Sequence, residues 1–371
     1  MDPAKVGLRL LGQLDMPEHH SELSEEQHVM LYPTFVYYDD TAGTWRVPIT
    51  GFVYQGGRDN MRQRMFLRLL QQVLKIDEAV LKTSEIFEYR IRGFLHVPQK
   101  MKPIVFHVGE NRLAATGQTK GSGHVRCTVA LGADDIPQQL AHTTSVCGGP
   151  IEHRIRCRVA LAPGDQRLFE NELNFIPPRG VSVISDIDDT IKISQVAHRN
   201  QLLHNTFLNP FVTVPGMARL YQNWKSAGAA FHYVSSSPWQ LFEPLDNLLA
   251  SSGFPKGSFH LRYYRFGDPS VLRLFMSRKR NKYNTIKSIF RMFPRRRFIL
   301  IGDSGEKDPE IYGKIARKFP GQIRRIFIRR VDGRPWTRQR ASKAFKMIPR
   351  ELWQTFRVPT QIRELDFTEF H

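Results

Sequence analysis

Three acidic side chains within four positions, Asp186-Ile187-Asp188-Asp189, stand directly behind the apolar run Val181-Ser182-Val183-Ile184-Ser185 and ahead of a hydroxyl, Thr190. A short apolar run bounded by turn-like residues reads as a buried strand. A carboxylate at the end of such a strand needs a partner or a chemical task, because burying it alone is costly. This array can hold a hard cation on its oxygens and still leave one carboxylate free as a nucleophile. A lone Asp-x-Asp-x-Thr would be read equally well as a polar turn, so the weight falls on what accompanies it.

Two further runs end the same way. Arg297-Phe298-Ile299-Leu300-Ile301 leads into Gly302-Asp303-Ser304-Gly305-Glu306-Lys307-Asp308, and Phe231-His232-Tyr233-Val234 ends in Ser235-Ser236-Ser237-Pro238. Three strand-like segments thus carry polar groups at their carboxyl ends, where open parallel sheets bind ligands. Lys282 opens a helical pattern, Ile286, Ile289, Phe290 and Phe293, that leads to the last of them. Strands alternate with helical patterns over Gly216–Lys225, Gln240–Leu249 and Asn281–Phe293. The expected fold is therefore α/β, a parallel sheet with helices on both faces.

The region before Pro177-Pro178-Arg179-Gly180 is patterned differently. Residues 1–30 read as a loose polar leader, and 31–177 as a mostly β, sandwich-like N-terminal domain preceding a catalytic domain over 178–371. Two strand-like stretches flank Asp39-Asp40-Thr41-Ala42-Gly43. A helix is expected from Asn60 to Leu74, with Met61, Met65, Leu69 and Val73 on its core side. From Glu85 onward, five runs rich in β-branched and aromatic residues are expected as strands: Ile86–Val97, Pro103–Val108, His124–Leu131, His153–Leu161 and Arg167–Ile176.

Charge is unevenly spread over the 371 residues. Of 54 Lys+Arg and 35 Asp+Glu, residues 181–371 hold 33 and 15, so nearly all of the net +19 lies in the catalytic half. The clusters Arg278-Lys279-Arg280, Arg295-Arg296-Arg297, Arg324-Arg325 and Arg329-Arg330 make a basic surface suited to anionic membranes or to nucleic acid. Three cysteines, Cys127, Cys147 and Cys157, cannot all pair and show no metal-ligand spacing, which points to a reducing, cytoplasmic compartment. The apolar stretch Val6–Leu11 is interrupted by Arg9 and too short for a secretory signal, and no segment approaches a membrane span. The expectation is a soluble or peripherally membrane-associated protein. In the tail beyond Asp332, Trp336, Phe345, Trp353 and Phe356 either meet a membrane interface or cover the back of the sheet.

The order of these motifs resembles the haloacid dehalogenase (HAD-like) superfamily, whose core is a Rossmannoid parallel sheet. More closely, it resembles the actin-patch-associated, magnesium-dependent phosphatidate phosphatases. The resemblance is carried by residues 184–192 (ISDIDDTIK), 231–240 (FHYVSSSPWQ) and 298–312 (FILIGDSGEKDPEIY), with Val214-Pro215-Gly216-Met217 and Gly253-Phe254-Pro255-Lys256-Gly257. It is strong over 179–331 and looser back to about residue 31. It implies that Asp186 attacks phosphorus, and that Asp188 protonates the leaving oxygen and then activates water. It also implies Mg2+ held by Asp186, Asp188 (through its backbone carbonyl), Asp303 and Asp308, the last also able to orient Lys282. Ser235 and Lys282 would hold the phosphoryl oxygens, with Thr190 beside them fixing the loop. Lys279 is a rival to Lys282, and Ser236 and Ser237 are weaker counterparts of Ser235. His232 and Lys192 also match, with strand packing and surface charge as their plain alternatives.

The implied substrate is phosphatidate or another anionic lipid at a membrane surface, with diacylglycerol as product. The alternatives are a phosphatase of nucleic-acid ends or other monoesters, and a catalytically silent lipid-binding scaffold. The intervals from Asp189 to Ser235 and from Ser235 to Lys282 leave little room for a large cap. Ser194–Thr213, with Leu202, Leu203, Phe207, Leu208 and Phe211, is the candidate for a small apolar flap. A weakly capped site suits a substrate embedded in a surface.

Overall fold

The computed structural model describes residues 20–56, 61–76, 81, 83–110, 113–137, 153–263, 279–362 and 365. Leader residues 1–19, Cys147, Arg278 and the side chains of Met61, Met65, Lys279 and Arg280 lie outside the described residues.

The N-terminal half begins with strands β1 (Gln27–Leu31), β2 (Phe35–Asp39) and β3 (Thr44–Gln55). Asp39 makes the β2–β3 turn by accepting bonds from Thr41 N (3.0 Å) and Ala42 N (3.2 Å), and Gly43 supplies the left-handed backbone (φ 66°). An L-residue with a Cβ would be strained there. Helices α1 (Met61–Leu74) and α2 (Glu85–Leu95) follow, then strands β4 (Val97–Pro98), β5 (Pro103–Val108), β6 (Leu113–Gln118), β7 (His124–Ala130), β8 (Arg154–Val159) and β9 (Glu170–Ile176). These strands form one connected, mixed sheet that includes the parallel pair β2–β9. It curls until β6 lies beside β7, where a Cβ on Gly117 would meet Val125.

Several expectations change here. Ile86–Val97 is mostly helix, not strand. Ser84 caps it by accepting from Phe87 N (3.2 Å), and Phe87, Ile91 and Phe94 share one buried face. Glu88-Tyr89-Arg90-Ile91-Arg92 alternates polar and apolar residues as a strand does, but Arg90 is itself buried. The leader is shorter than 30 residues: Ser21 bridges Leu161 and Gln27–Leu31 pairs with β3. The strands form one curled sheet instead of two facing sheets. In α1 the fully buried stripe is Phe66, Leu70 and Leu74, with Leu69 and Val73 at its margin. Strand β6 (LAATGQ) carries little β-branched signal and was not anticipated.

The second half contains β10 (Val181–Ser185), α3 (Arg199–Phe207), α4 (Met217–Ser226), β11 (Ala230–Pro238), α5 (Phe242–Ser251), β12 (Ser258–Arg262), α6 (Lys279–Met292), β13 (Arg297–Asp303), α7 (Asp308–Lys318), β14 (Ile323–Arg329), α8 (Arg338–Ala344) and β15 (Trp353–Phe356). Its parallel sheet has the order β12-β11-β10-β13-β14-β15. Alternation along the strands divides the core in two. Val181, Val183, Phe231, Tyr233, Ile299 and Ile301 pack with Met217, Tyr221, Leu245 and Leu249 of α4 and α5. Ile184, Val234, Phe298 and Leu300 pack with Ile286, Phe290, Ile311 and Ile315 of α6 and α7. Helices therefore cover both faces, as the run of alternating elements requires.

The tail joins this core. Phe345 and Phe356 are buried and β15 is the sixth strand, so the aromatics cover the sheet. Arg296 is buried rather than part of a basic surface: it donates to Ser182 Oγ (2.8 Å) and Pro177 O (2.7 Å), and also to Arg179 O and Val181 O. The segment read as a flap contains α3, whose Leu203 and Phe207 are packed into the core, Phe207 beside Phe94 (rings 5.6 Å apart).

The two halves share a core. Tyr32 stacks on Trp239 at 3.9 Å, Phe35 meets His232 and Phe293 edge-on or tilted at 5.2 and 5.1 Å, and Phe259 N donates to Pro33 O (3.0 Å). Burial pushes the His124 imidazole down to about 4 against a bond to Ser122 O, and burial drives His232 well below its ordinary range. Both are neutral when folded, whereas the unfolded chain takes up protons below about pH 6.5. Stability is thus fully present above pH 6.5 and declines as pH falls toward 4, where the unfolded state binds more protons. Urea midpoints are expected to drop over this window at constant m-value, and His124→Gln to flatten part of the slope.

Candidate active site

The site sits where the strand order reverses. From β10 the chain builds β11 and β12 on one side, then crosses to β13 on the other. Such a switch point opens a crevice at the carboxyl ends of the two diverging strands. Asp186 follows β10 and continues its ladder through Asp186 N→Ile301 O (2.9 Å), and Asp303 is the last residue of the adjacent β13. Both are buried, Asp303 completely.

Lys282, near the start of α6, reaches Asp186 Oδ1 at 2.7 Å and Asp308 Oδ1 at 2.5 Å. Asp308 opens α7 and its Oδ2 accepts from Asp303 N (3.3 Å). Its fit depends on Gly302, since a Cβ there would collide with the Asp308 carboxylate. Thr190 Oγ1 donates to Asp186 Oδ2 (3.2 Å), so it orients the candidate nucleophile. Asp303 Oδ1 accepts from Gly305 N (2.5 Å) and Glu306 N (2.9 Å), which leaves Oδ2 buried without a partner.

Asp186, Asp303 and Asp308 each offer a ligand oxygen within 4.8 Å of the others. Three buried carboxylates against the single Lys282 ammonium leave a negative excess that a divalent, oxygen-seeking cation would offset. The orphaned Asp303 oxygen fits the same group. The Asp188 side chain does not belong to this cluster. Its Oδ1 meets Lys192 Nζ (2.8 Å) and accepts from Ser194 Oγ (2.7 Å), while Oδ2 accepts from Ser237 Oγ (2.7 Å) and Ser235 Oγ (3.1 Å).

The electrostatics separate the two acids. Burial raises Asp186 well above the carboxylate range, opposed by Lys282 and reinforced by Asp308 and Glu306. Asp303 rises similarly through burial and then Asp308. Burial also works against ionised Asp188, but Lys192 and the hydrogen bonds from Ser194 and Ser237 outweigh it and hold that carboxyl well below its ordinary value. Divergent environments for neighbouring carboxylates are what acid–base division of labour requires.

All seven expected site residues, Asp186, Asp188, Thr190, Ser235, Lys282, Asp303 and Asp308, meet at this mouth. Lys192 is not a surface charge: it is 2% exposed and paired with Asp188. Ser237, ranked below Ser235, makes the shorter bond to Asp188. His232 is held by strand packing and by Ser258 Oγ (2.8 Å from Nδ1). Ser194 and Glu306 were missed. Glu306 accepts from Ser236 Oγ (3.2 Å), and burial raises it to about 7 against the pull of Lys282. Its acidic character after Gly302-Asp303-Ser304-Gly305 was a usable signal, whereas nothing distinguished Ser194.

Residues 181–330 match the family model described as phosphatidate phosphatase APP1, catalytic domain. This segment is similar to the APP1 catalytic-domain family. The chain is similar to phosphatidate phosphatase APP1 of Saccharomyces cerevisiae, 37% identical over 160 residues, which are 42% of this chain and 27% of that protein. It is also similar to an uncharacterized protein of Schizosaccharomyces pombe, 32% identical over 169 residues, 44% of this chain and 27% of the relative. The chain thus spans about a quarter of the length of these relatives. The APP1-type segment holds every one of the seven expected site residues.

Breaking a buried ion pair by removing one partner typically costs about 3–5 kcal/mol, because the other charge stays buried. Lys192→Met is expected to lower stability by roughly that amount at neutral pH. Adding Asp188→Asn to it should restore a large part, and urea denaturation of the two variants measures both effects.

Proposed function

We propose that the chain is a magnesium-dependent phosphatidate phosphatase on a HAD-like Rossmannoid core, working through an aspartyl-phosphate. The observation that carries this reading is the convergence of Asp186, Asp303, Asp308 and Lys282 at the switch point, in a segment similar to the APP1 catalytic-domain family. When bound by these carboxylates, magnesium supplies the charge that keeps Asp186 ionised and screens the phosphoryl oxygens.

An Asp186 oxygen forms a bond to phosphorus as the bond from phosphorus to the lipid oxygen breaks. The leaving alkoxide takes the electron pair and a proton from Asp188, giving diacylglycerol. Water then attacks the phosphoryl group, Asp188 takes a proton from it, and the bond to Asp186 breaks to release phosphate. Asp188 is ionised at rest, and the arriving phosphate dianion raises its proton affinity as a nearby like charge does. Lys282 and Ser235 stabilise the phosphoryl oxygens.

A lipid substrate is supported by apolar side chains exposed beside Ile193 and beyond the carboxyl end of β15. Val212, whose carbonyl accepts from Ile193 N (2.8 Å), and Val358, two residues past β15, are 54% and 49% exposed. Exposed Arg330 and Arg357 flank Val358's strand end. Apolar side chains among arginines suit an anionic bilayer surface. No helix among the described residues is long and apolar enough to cross a membrane.

The purified chain is expected to release phosphate from phosphatidate in mixed micelles with magnesium and to lose that activity in EDTA. Asp186→Asn and Asp188→Asn should each reduce turnover by about 10³-fold or more with the fold retained. Magnesium should raise the melting temperature, and Asp303→Ala should abolish the rise. Preference for 3′- or 5′-phosphorylated oligonucleotides over phosphatidate would replace the lipid reading, and wild-type turnover by Asp186→Asn would end the mechanism.

A further inference from the structure

Arg90 is out of place by ordinary accounting. It lies on α2 of the N-terminal half, is only 7% exposed, and among the described residues no carboxylate pairs with it. Burial lowers its guanidinium to about 10, and its Nε has no partner. A buried guanidinium without a counter-ion is expensive, so what it touches deserves an explanation. It donates from Nη1 to Thr206 O (3.1 Å) at the end of α3, and its Cζ lies 3.0 Å from the centre of the Phe211 ring. The same ring faces Lys192, whose Nζ is 4.7 Å from its centre. Lys192 in turn holds Asp188 Oδ1 at 2.8 Å and also meets Ser194 Oγ.

We infer that Arg90 is a positioning residue for Asp188, acting through Phe211 and Lys192. The aromatic ring accepts two cations, one from each half of the chain. Lys192 is long and has three rotatable donors, so an ion pair alone fixes it poorly. Phe211 gives the ammonium that holds Asp188 a second contact, and Arg90 fixes Phe211 by stacking on it and by tying down the preceding helix end. The N-terminal half therefore completes the geometry of the acid–base carboxylate as well as sharing the core. This rests on the proposed role of Asp188 as the group that protonates the leaving oxygen.

A displaced general acid has a signature that general loss of structure lacks. It penalises a poor alkoxide leaving group far more than a good phenolate, which departs without a proton. The test uses the full chain with magnesium, comparing kcat and KM for dioleoyl phosphatidate in mixed micelles and for p-nitrophenyl phosphate. Arg90→Met and Phe211→Leu are expected to lower kcat for phosphatidate by about 10- to 100-fold with KM little changed, the scale of a small misplacement. Loss on p-nitrophenyl phosphate should be several-fold smaller, and Arg90→Lys should retain more activity than Arg90→Met.

Asp188→Asn provides the reference. If it shows the leaving-group-dependent loss and the folded Arg90 and Phe211 variants do not, the inference is overturned while the proposed function stands. If Asp188→Asn loses kcat/KM, which excludes the shared water step, equally on both substrates, the assignment of Asp188 as the leaving-group acid fails and the inference falls with it. Should Arg90→Met not fold, Phe211→Leu, which keeps an apolar side chain, decides the question by the same ratio.

Discussion

The ion pairs of Lys282 with Asp186 and Asp308 are the interaction on which the rest of the catalytic half depends. They join three elements far apart in the chain: the end of β10, the start of α6 and the start of α7. Carboxylates buried this completely would otherwise neutralise by taking protons, and the crevice would lose its charge. Lys282 keeps part of that charge by desolvating beside it: burial works against the ammonium, but Asp186 and Asp308 outweigh burial and raise it well above its ordinary range. One lysine cannot balance three acids, and the unpartnered oxygen of Asp303 marks where the balance is incomplete.

The second acid, Asp188, belongs to a separate network although it lies two residues from Asp186. The intervening Ile187 is fully buried, and the chain then turns through Asp189, whose φ of 52° is unusual for a residue with a Cβ. That conformation is held by the Asp189 carboxylate, which accepts from Ser194 N, Gln195 N and Val196 N at 2.7–2.8 Å. Its carbonyl accepts from Arg329 Nη1 (2.7 Å). The turn brings Lys192 back beside Asp188, while the ladder of β10 carries Asp186 to Lys282. Two carboxylates with different counter-ions can hold different protonation states at one pH.

Much of the site was legible because its chemistry is written at strand ends. Asp186, Ser235 and Asp303 follow apolar runs, and a parallel sheet brings carboxyl ends to one edge whatever the strand order. Lys282 was legible as the opening of a helical apolar pattern. Arg90 and Arg296 were read respectively as part of a polar–apolar alternation and as part of a basic cluster, because a sequence shows a charge but not its burial. For the same reason Lys192 stood between a match to the site and a surface charge until its burial beside Asp188 decided for the site. The helix over Glu85–Leu95 was hidden because Arg90 took a buried position, which broke the apolar spacing that marks a helix.

What the sequence determined by itself was the parallel α/β half, the residues at its mouth and their chemical types, since these follow from local periodicity and from acids placed after buried runs. What only the tertiary structure decided was the pairing of charges. Asp188 with Lys192, Asp186 with Lys282, and Arg90 with Phe211 are set by the turn at Asp189, the strand order and the packing of α2 against α3. The strength of each pair depends on burial and distance, and neither quantity exists until distant segments have been brought together.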